Sequence, residues 1–298
     1  MKLFDEIKPV FFIDNKMNSI LNDINVKLKK INVNDKQKRK YMISKSKIRS
    51  IHSSLAIEAN SLSLFDVESI SENKLILGKK DEVQEVKNAI EAYNHINEYN
   101  YRNHDEGEKR DDEIIYMAPE SILVPSLMKS LFEYISNSDL NIIILSAIFH
   151  YYFVFIHPFS DGNGRCARFW VTLMLINYDK NFEFIPLEEE IYLNQENYYL
   201  AIAECHNNGN ANVFIKFILQ TINSSLDKLI KNSNFVCNDI QNKIIELIAN
   251  NNRITQNEIA NITNVNVRTI KRNFKILIDN LIIERIGSDK AGYWQILK

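Results

Sequence analysis

The chain has 298 residues, of which 45% are apolar and 25% charged, and its net charge is −2. This length suffices for one large domain and one small domain, and the composition is ordinary for a globular protein. A net charge so close to zero excludes a general attraction to nucleic acid or to a membrane, so any such binding must come from a local patch. Glycine and proline are few, at seven and five residues, which favours helices over a loop-rich β fold.

Three cysteines, Cys166, Cys205 and Cys237, are scattered along the chain. An odd number without a Cys-x-x-Cys pair argues against a disulfide framework or a cysteine-ligated zinc site, and it fits a reducing compartment. The first residues include acids and lack an apolar core, so they do not match a signal peptide. The longest apolar run, 142–156, is too short to cross a bilayer. We therefore expect a cytoplasmic protein without a membrane partner.

Helical periodicity accounts for most of the chain before residue 231. An amphipathic pattern predicts a helix over 81–99, and Gly209 lies where another helix should stop. Residues 114–119 are the only strand predicted in this region. The other predicted helices share apolar residues at helical spacing and cover 16–58, 124 onward, 142–156, 169–176, 197–208 and 213–230.

From residue 239 onward the pattern is that of a winged helix. A helix over 239–250 is followed by a short one that opens at Thr255, where Glu258 completes the spacing of a capping box. A third helix covers 266–280. Two strands, 282–286 and 293–297, form the predicted wing. We expect two domains, 1–230 and 231–298.

The third helix of this region carries a basic face opposite its apolar face. A basic helix in this position of a winged helix can enter the major groove of DNA. The alternative is that the small domain mediates protein contacts or dimerisation, and the pattern leaves both open. The basic residues are Arg268, Lys271, Arg272 and Lys275.

The most informative stretch is 157–168, which reads HPFSDGNGRCAR. A residue that precedes proline disfavours helical geometry, so the apolar helix before it should end near residue 156 or 157. Gly162 and Gly164 let the backbone approach a ligand closely, and the N–H groups at the start of the next helix favour an anion. Arg165 and Arg168 add two guanidinium groups.

If the ligand is a nucleoside triphosphate, the other polar residues of this stretch have roles as well. Asp161 can hold Mg²⁺, and Asn163 with the neighbouring N–H groups can cradle a phosphate. His157 can take a proton from an incoming hydroxyl group. The P-loop pattern does not occur, which excludes a site of that kind. A metal site made by His150 and His157 is a less favoured alternative.

Residues 157–168 match H-P-F-x-[D/E]-G-N-G-R-x-x-R at every defining position, and the chain resembles the Fic family over roughly 50–220. The resemblance implies a mainly α fold with a short β-hairpin flap near 113–120, followed here by the small α+β winged helix. In the family, AMP is transferred from ATP to a Ser, Thr or Tyr hydroxyl of a protein, which can be the enzyme itself. The flap would align the target segment by strand addition.

The resemblance also implies a role for each residue of the motif. His157 would be the general base, and Asp161 would bind Mg²⁺. Arg168 would hold the γ-phosphate of ATP. The remaining residues expected to bind ATP are Gly162, Asn163, Gly164, Arg165, Tyr198 and Tyr199.

Residues 54–58 fit the [S/T]-x-x-x-E-[G/N] pattern of the family's inhibitory helix, expected here near 50–60. The fit rests on Ser54 and Glu58, while Ala59 stands where glycine is usual. The resemblance implies that Glu58 pairs with Arg168 and keeps it from the γ-phosphate. Without the resemblance, Ser54 and Glu58 are only a surface pair on a helix.

We therefore expect a self-inhibited protein adenylyltransferase. Two alternatives remain open at this point: a DNA-binding regulator whose Fic-like domain senses a nucleotide, and an enzyme that removes AMP from a modified protein. A homodimer is compatible with all three.

Overall fold

A computed structural model describes residues 8–31, 33, 36–101, 121–233, 237–280, 282–286 and 292–296. The described residues fall into two compact units. The first lies within Met1–Asn32 and Tyr41–Leu226, and the second within Val33–Lys40 and Asp227–Lys298. The predicted flap near 113–120, including the strand 114–119, lies outside the described residues.

The first unit is helical throughout its described part, as predicted. The helix predicted over 81–99 is shorter in the structure, where it ends at Asn94 with His95 as its C-cap. Gly209 ends a helix in the left-handed conformation, as expected. The helices are α1 (Asn15–Lys30), α2 (Lys36–Ile57), α3 (Leu64–Ser71), α4 (Lys80–Asn94), α5 (Val124–Asn137), α6 (Ile142–Ile156), α7 (Asn163–Tyr178), α8 (Leu187–Leu193), α9 (Gln195–Asn208) and α10 (Asn212–Ser233), with short 3₁₀ turns at Ser121–Leu123 and Lys180–Phe184.

Helices α6 and α7 pack together at the centre of this unit. Nearly every residue of α6 is buried, which agrees with its uninterrupted apolar sequence. Three rings fix the contact with α5: Phe132, Phe149 and Trp170 have centroids 5.5–5.9 Å apart. The loop 157–162 joins the two most tightly packed helices, so both of its ends are held by the core.

A buried carboxylate ties three other helices to one another. Glu188, at the start of α8, accepts hydrogen bonds from Ser50 of α2 (2.6 Å), Tyr93 of α4 (2.7 Å) and Thr172 of α7 (2.6 Å). Burial and the charge of Glu188 raise the pKa of Tyr93 well above its usual range, so the phenol stays protonated and donates. Since α2, α4 and α7 carry the side chains of the site below, Glu188 helps to set their mutual register.

The second unit has the predicted winged-helix elements. Thr255 and Glu258 form the expected capping box, and Phe274 packs against Trp294 in the core with ring centroids 4.7 Å apart. The wing strands pair antiparallel, with Ile283 opposite Ile296. The elements are α11 (Asp239–Asn250), α12 (Gln256–Thr263), α13 (Val267–Asp279), β1 (Ile283–Ile286) and β2 (Tyr293–Ile296).

Helix α13 is strongly amphipathic. Ile270, Phe274 and Leu277 are buried in the core of the unit. The predicted basic residues Arg268, Lys271, Arg272 and Lys275 are all exposed. In the described part of the chain, none of the helices is both long and apolar enough to cross a membrane.

Candidate active site

The loop between α6 and α7 begins and ends near the residues that the sequence predicts. Helix α6 ends at Ile156, and His157 takes the left-handed conformation (φ 54°, ψ 59°) immediately before the proline. Left-handed backbone costs a non-glycine residue about 1–2 kcal/mol, so the packed helices on either side must hold it. Gly162 is also left-handed (φ 81°), and α7 begins at the next residue.

Asn163 shapes this loop. Its Oδ1 accepts from the Phe159 backbone N–H at 2.9 Å, and its Nδ2 donates to the Phe159 carbonyl at 2.5 Å. The side chain is buried and both its polar atoms are engaged, so the prediction that this side chain cradles a phosphate is not supported. The N–H groups of the first turn of α7 still have no partner within the helix, as at any helix start.

Arg168 lies beneath the end of α2 and is only 1% exposed. Its Nε donates to Oγ of Ser54 at 3.0 Å, and its Nη2 donates to the Ser54 carbonyl at 2.9 Å and to Oε1 of Glu58 at 2.8 Å. The expected contact between Glu58 and Arg168 is therefore confirmed. Burial opposes the charge of Arg168, but Tyr198 and Glu58 more than offset it and raise its pKa.

Every carbonyl of the last turn of α2 has a partner. Arg168 takes the Ser54 carbonyl, while the N–H groups of residues 58–60 take those of Leu55 and Ala56. The Ile57 carbonyl accepts from Gln195 at 3.1 Å and lies 3.5 Å from the hydroxyl of Tyr199. The last carbonyls of a helix need such partners. Arg168 and residues of α9 supply them, and so they stabilise the end of α2 at this position.

Gly164 brings the start of α7 against Glu58. A Cβ built on Gly164 would lie 2.3 Å from Oε1 of Glu58 and 2.9 Å from Nη1 of Arg168. Nη1 of Arg168 is buried without a hydrogen-bond partner. Glycine thus allows the start of α7 to pack closely against Glu58, and an orphan donor of Arg168 lies beside the first turn of α7.

A second buried layer involves α6 and α9. His150 contacts the hydroxyl of Tyr198 at 3.0 Å through Nε2. Burial, together with the charge of Arg168, holds the pKa of His150 well below its usual value, so its ring is neutral. Burial raises the pKa of Tyr198 to about 12.

This layer corrects one prediction. Tyr198 was expected to bind ATP, but it is 2% exposed and contacts His150 in the interior. The helical periodicity of α9 did not indicate which face of that helix would be buried against the other helices. Among the described residues there is also no group of three or more His, Cys, Asp or Glu side chains that could hold a metal, and His150 lies in the core.

Arg165 has two carboxylate partners, one of which the sequence did not suggest. Its Nη1 donates to Oε1 of Glu85 on α4 at 2.7 Å, and its Nη2 donates to Oδ2 of Asp161 at 2.6 Å. The other oxygen of Glu85 accepts from Asn60 at 2.8 Å. Through Asn60, Glu85 and Arg165, these contacts link the segment after α2 to the loop. This link is separate from the contact between Glu58 and Arg168.

Comparisons with known proteins agree with this geometry. The family model described as Fic/DOC family matches residues 79–175, which include α4, α6, the loop and most of α7. Residues 79–175 are therefore similar to a Fic domain. A second family model, described as winged helix-turn-helix DNA-binding, matches residues 238–284.

Curated proteins with similar sequences are named protein adenylyltransferases. A segment of 91 residues is 32% identical to the protein adenylyltransferase Fic of Drosophila yakuba, and 103 residues are 30% identical to a probable protein adenylyltransferase of Aquifex aeolicus. These segments are 30% and 33% of this chain, but they span only 17% and 30% of those relatives. The chain therefore matches less than a third of the length of each of these relatives.

Solved structures extend the likeness of the fold. A Fic family protein from Desulfovibrio desulfuricans matches 97% of this chain and 98% of its own length, with 25% identity and a TM-score of 0.69. Fic-1 from C. elegans matches 72% of this chain and 71% of its own, with 20% identity and a TM-score of 0.55. The mainly helical fold class is confirmed.

The loop 157–162 offers one carboxylate to a divalent cation. Asp161 has a side chain that is 78% exposed, and Arg165 occupies only Oδ2. Mg²⁺ is commonly bound by one or two carboxylates together with the phosphates of a substrate. The donor set therefore fits a Mg²⁺ that arrives with a nucleotide, with Asp161 as its protein ligand.

Ala59 is a point of backbone strain. It is left-handed (φ 68°) at the end of α2, a position where glycine is favoured. We expect Ala59→Gly to raise the free energy of unfolding by about 1 kcal/mol, since the steric cost of the left-handed Cβ is removed. Urea denaturation of both proteins measures this difference. A decrease would contradict the interpretation of the helix end.

Gly164→Ala tests the packing between the start of α7 and the end of α2. The added methyl group collides with Glu58, so we expect the free energy of unfolding to fall by about 1–3 kcal/mol. In a Glu58→Gly chain the closest contact no longer exists, and the same substitution should cost clearly less. Thermal or urea unfolding of the four proteins of this cycle gives the answer. Equal costs in the two backgrounds would show that the collision is not the cause.

Proposed function

We propose that this chain is a protein adenylyltransferase that moves AMP from ATP to a Ser, Thr or Tyr hydroxyl of a protein and releases diphosphate. One observation carries the proposal: a Fic domain in which His157, the start of α7 and two arginines meet at one loop. The names of the similar proteins support the same reaction class. The chain itself is one candidate target.

In this proposal the substrate phosphates lie at the start of α7. The N–H groups of the first turn and the positive end of the helix dipole favour the negative oxygens, and Arg165 adds a forked donor. Tyr199 of α9, whose hydroxyl lies 3.5 Å from the Ile57 carbonyl at the end of α2, is the remaining tyrosine proposed to lie near ATP. Mg²⁺ held by Asp161 would neutralise charge on the phosphates.

His157 would act as the general base. As the target hydroxyl oxygen forms its bond to the α-phosphorus, the hydroxyl proton passes to the imidazole of His157. The bond between the α-phosphorus and the bridging oxygen breaks, and that oxygen leaves with diphosphate. The contact between Nδ1 of His157 and the Val154 carbonyl at 3.3 Å helps to orient the ring, and Nε2 is the nitrogen proposed to accept the proton.

We propose further that Glu58 restrains the enzyme. In Arg168, Nε already donates to Ser54 and Nη2 already donates to Glu58. The guanidinium group therefore cannot form a pair of hydrogen bonds with a γ-phosphate until Glu58 moves. The orphan Nη1 beside the first turn of α7 is the donor that a phosphate would satisfy.

The direct test is mass spectrometry of proteins incubated with Mg²⁺ and ATP. The Glu58→Gly chain is added to a lysate, and modified peptides are searched for the mass of AMP on Ser, Thr or Tyr. Modification in a reaction with this chain, but not with a Glu58→Gly, His157→Ala chain, supports the proposal. If AMP is instead lost from a modified target without ATP, the main reaction is removal of AMP.

A second candidate function belongs to the winged helix. The four basic side chains of α13 are all exposed, and the matching family model is described as DNA-binding. We propose that α13 enters the major groove of a DNA duplex. The alternative partner of this surface is a second copy of the chain.

Arg272→Ala tests the DNA proposal. In a gel shift with random duplex DNA at modest salt, we expect the unmodified chain to bind and the variant to bind about three- to tenfold more weakly, because phosphate contacts dominate such affinity. Lys243→Ala on α11 is a matched control, since Lys243 is exposed and paired with Glu246. Equal binding by all three proteins would argue against a role of α13.

A further inference from the structure

Arg165 has one edge of its guanidinium held and the other turned to the loop. Nη1 is held by Glu85. A Cβ built on Gly162 would lie 3.4 Å from Nη2 and 3.6 Å from Nε, so the Nε–Nη2 edge faces the backbone where α7 begins. We propose that Glu85 is a positioning residue that presents this edge of Arg165 to the phosphates of the nucleotide. The inference rests on the proposed function, since it needs a phosphate ligand at the loop.

Arg165 has enough N–H donors to bind Glu85 and a phosphate group at the same time. A guanidinium group has five N–H donors, and the bonds to Glu85 and Asp161 use one on each amino group. If Asp161 turns to Mg²⁺, the Nε and Nη2 donors become a parallel pair, which is the geometry that binds phosphate best. The bond to Glu85 stays in place throughout, because it lies on the opposite edge.

Asn60 fixes Glu85 in turn. Its Nδ2 donates to Oε2 of Glu85 at 2.8 Å and lies 3.2 Å from the Glu82 carbonyl, while its Oδ1 accepts from the Leu62 N–H at 3.1 Å. An amide with both ends engaged has one orientation, so Glu85 has little freedom to rotate. Asn60 lies two residues after Glu58, and the same short segment therefore contacts Arg168 directly and Arg165 through Glu85.

Calorimetric binding of ATP with Mg²⁺ tests this role without relying on catalysis. The Glu58→Gly chain is the reference, because there Arg168 is not restrained. We expect Glu85→Gln to raise the Kd for ATP roughly tenfold, since the charged partner of Arg165 is lost. Gln84→Ala, a neighbouring exposed position on α4, should leave the Kd unchanged. All variants are compared well below their melting temperatures.

Coupling between Asn60 and Arg165 separates positioning from a merely structural effect. In the reference chain, Asn60→Ala and Arg165→Lys should together raise the Kd by less than the product of their separate effects. With Glu85→Gln present, the two effects should multiply, because the link between them is gone. Unchanged affinity of Glu85→Gln, or multiplication while Glu85 is present, overturns this inference alone. If the reference chain does not bind ATP at all, the proposed function fails and this inference fails with it.

Discussion

Replacing Glu58 by glycine is expected to raise AMP incorporation into the chain itself about ten- to hundredfold. Hydrogen bonds to charged groups are worth about 1.5–3 kcal/mol, and under the restraint that we propose, the bond from Nη2 of Arg168 to Glu58 keeps this donor from the nucleotide. Since a factor of ten in an equilibrium corresponds to about 1.4 kcal/mol, freeing Arg168 gives the range stated. Incubation with labelled ATP and Mg²⁺, followed by electrophoresis, measures the incorporation.

The same substitution has a cost in stability that the assay must allow for. Arg168 stays buried after the change and loses a carboxylate partner, which is destabilising for an interior cation. The hydrogen bonds from Arg168 to the hydroxyl and carbonyl of Ser54 do not involve Glu58 and still hold the guanidinium group against α2. Activity should therefore be compared at a temperature where both proteins are folded, as judged by circular dichroism.

Glu72→Gly is the matched control for this prediction. Glu72 also lies at the end of a helix, α3, and also pairs with a cation, Lys74, yet it lies outside the site. We expect its replacement to leave incorporation at the level of the unmodified chain. Unchanged incorporation in Glu58→Gly would contradict the restraint that we propose.

Replacing His157 by alanine in the Glu58→Gly chain is expected to reduce incorporation by at least about a hundredfold, since a general base contributes roughly 10²–10⁴ to a rate. Binding of ATP with Mg²⁺ should change little, because the proposed phosphate contacts come from α7 and not from His157. The combination of retained binding and lost transfer is the expected result, measured by calorimetry and by label incorporation on the same samples.

His95→Ala serves as the control for this second prediction. His95 is the C-cap of α4, is exposed, and interacts with Glu91 and Glu98. We expect transfer to continue in this variant. If His157→Ala also kept its transfer activity, another group would have to accept the proton. If His157→Ala lost binding as well, its part in the loop would be structural, and the data would favour a different base.

Much of the loop was predictable because its signals are local. Pro158 limits α6, which ends at Ile156 with His157 as its C-cap, and Gly162 permits the left-handed turn that starts α7. The capping box of Thr255 and Glu258 is local in the same sense. The helix of residues 81–99 was predicted too long, since apolar spacing continued past Asn94 while the backbone hydrogen bonds did not.

The contacts that orient the site join residues far apart in the chain. Glu85 and Arg165 are 80 positions apart, and Ser50 and Glu188 are 138 apart. A carboxylate on an amphipathic helix gives no indication of which cation it will meet, and many arrangements of helices are compatible with the same spacing. For Glu58 and Arg168, the resemblance to a family suggested the pair, whereas spacing alone indicated only a surface residue.

The sequence by itself indicated that a buried helix ends near residue 156 and that a second helix starts at the glycines of the following loop. It also predicted a base, a carboxylate and an anion-binding helix start within residues 157–168. It predicted this because proline, glycine and apolar periodicity act within a few residues of backbone. Only the tertiary structure decided that Arg168 is buried beneath α2, that Tyr198 faces the interior, and that Glu85 holds Arg165. Those outcomes depend on which helix faces pack together, and packing is decided by the whole core at once.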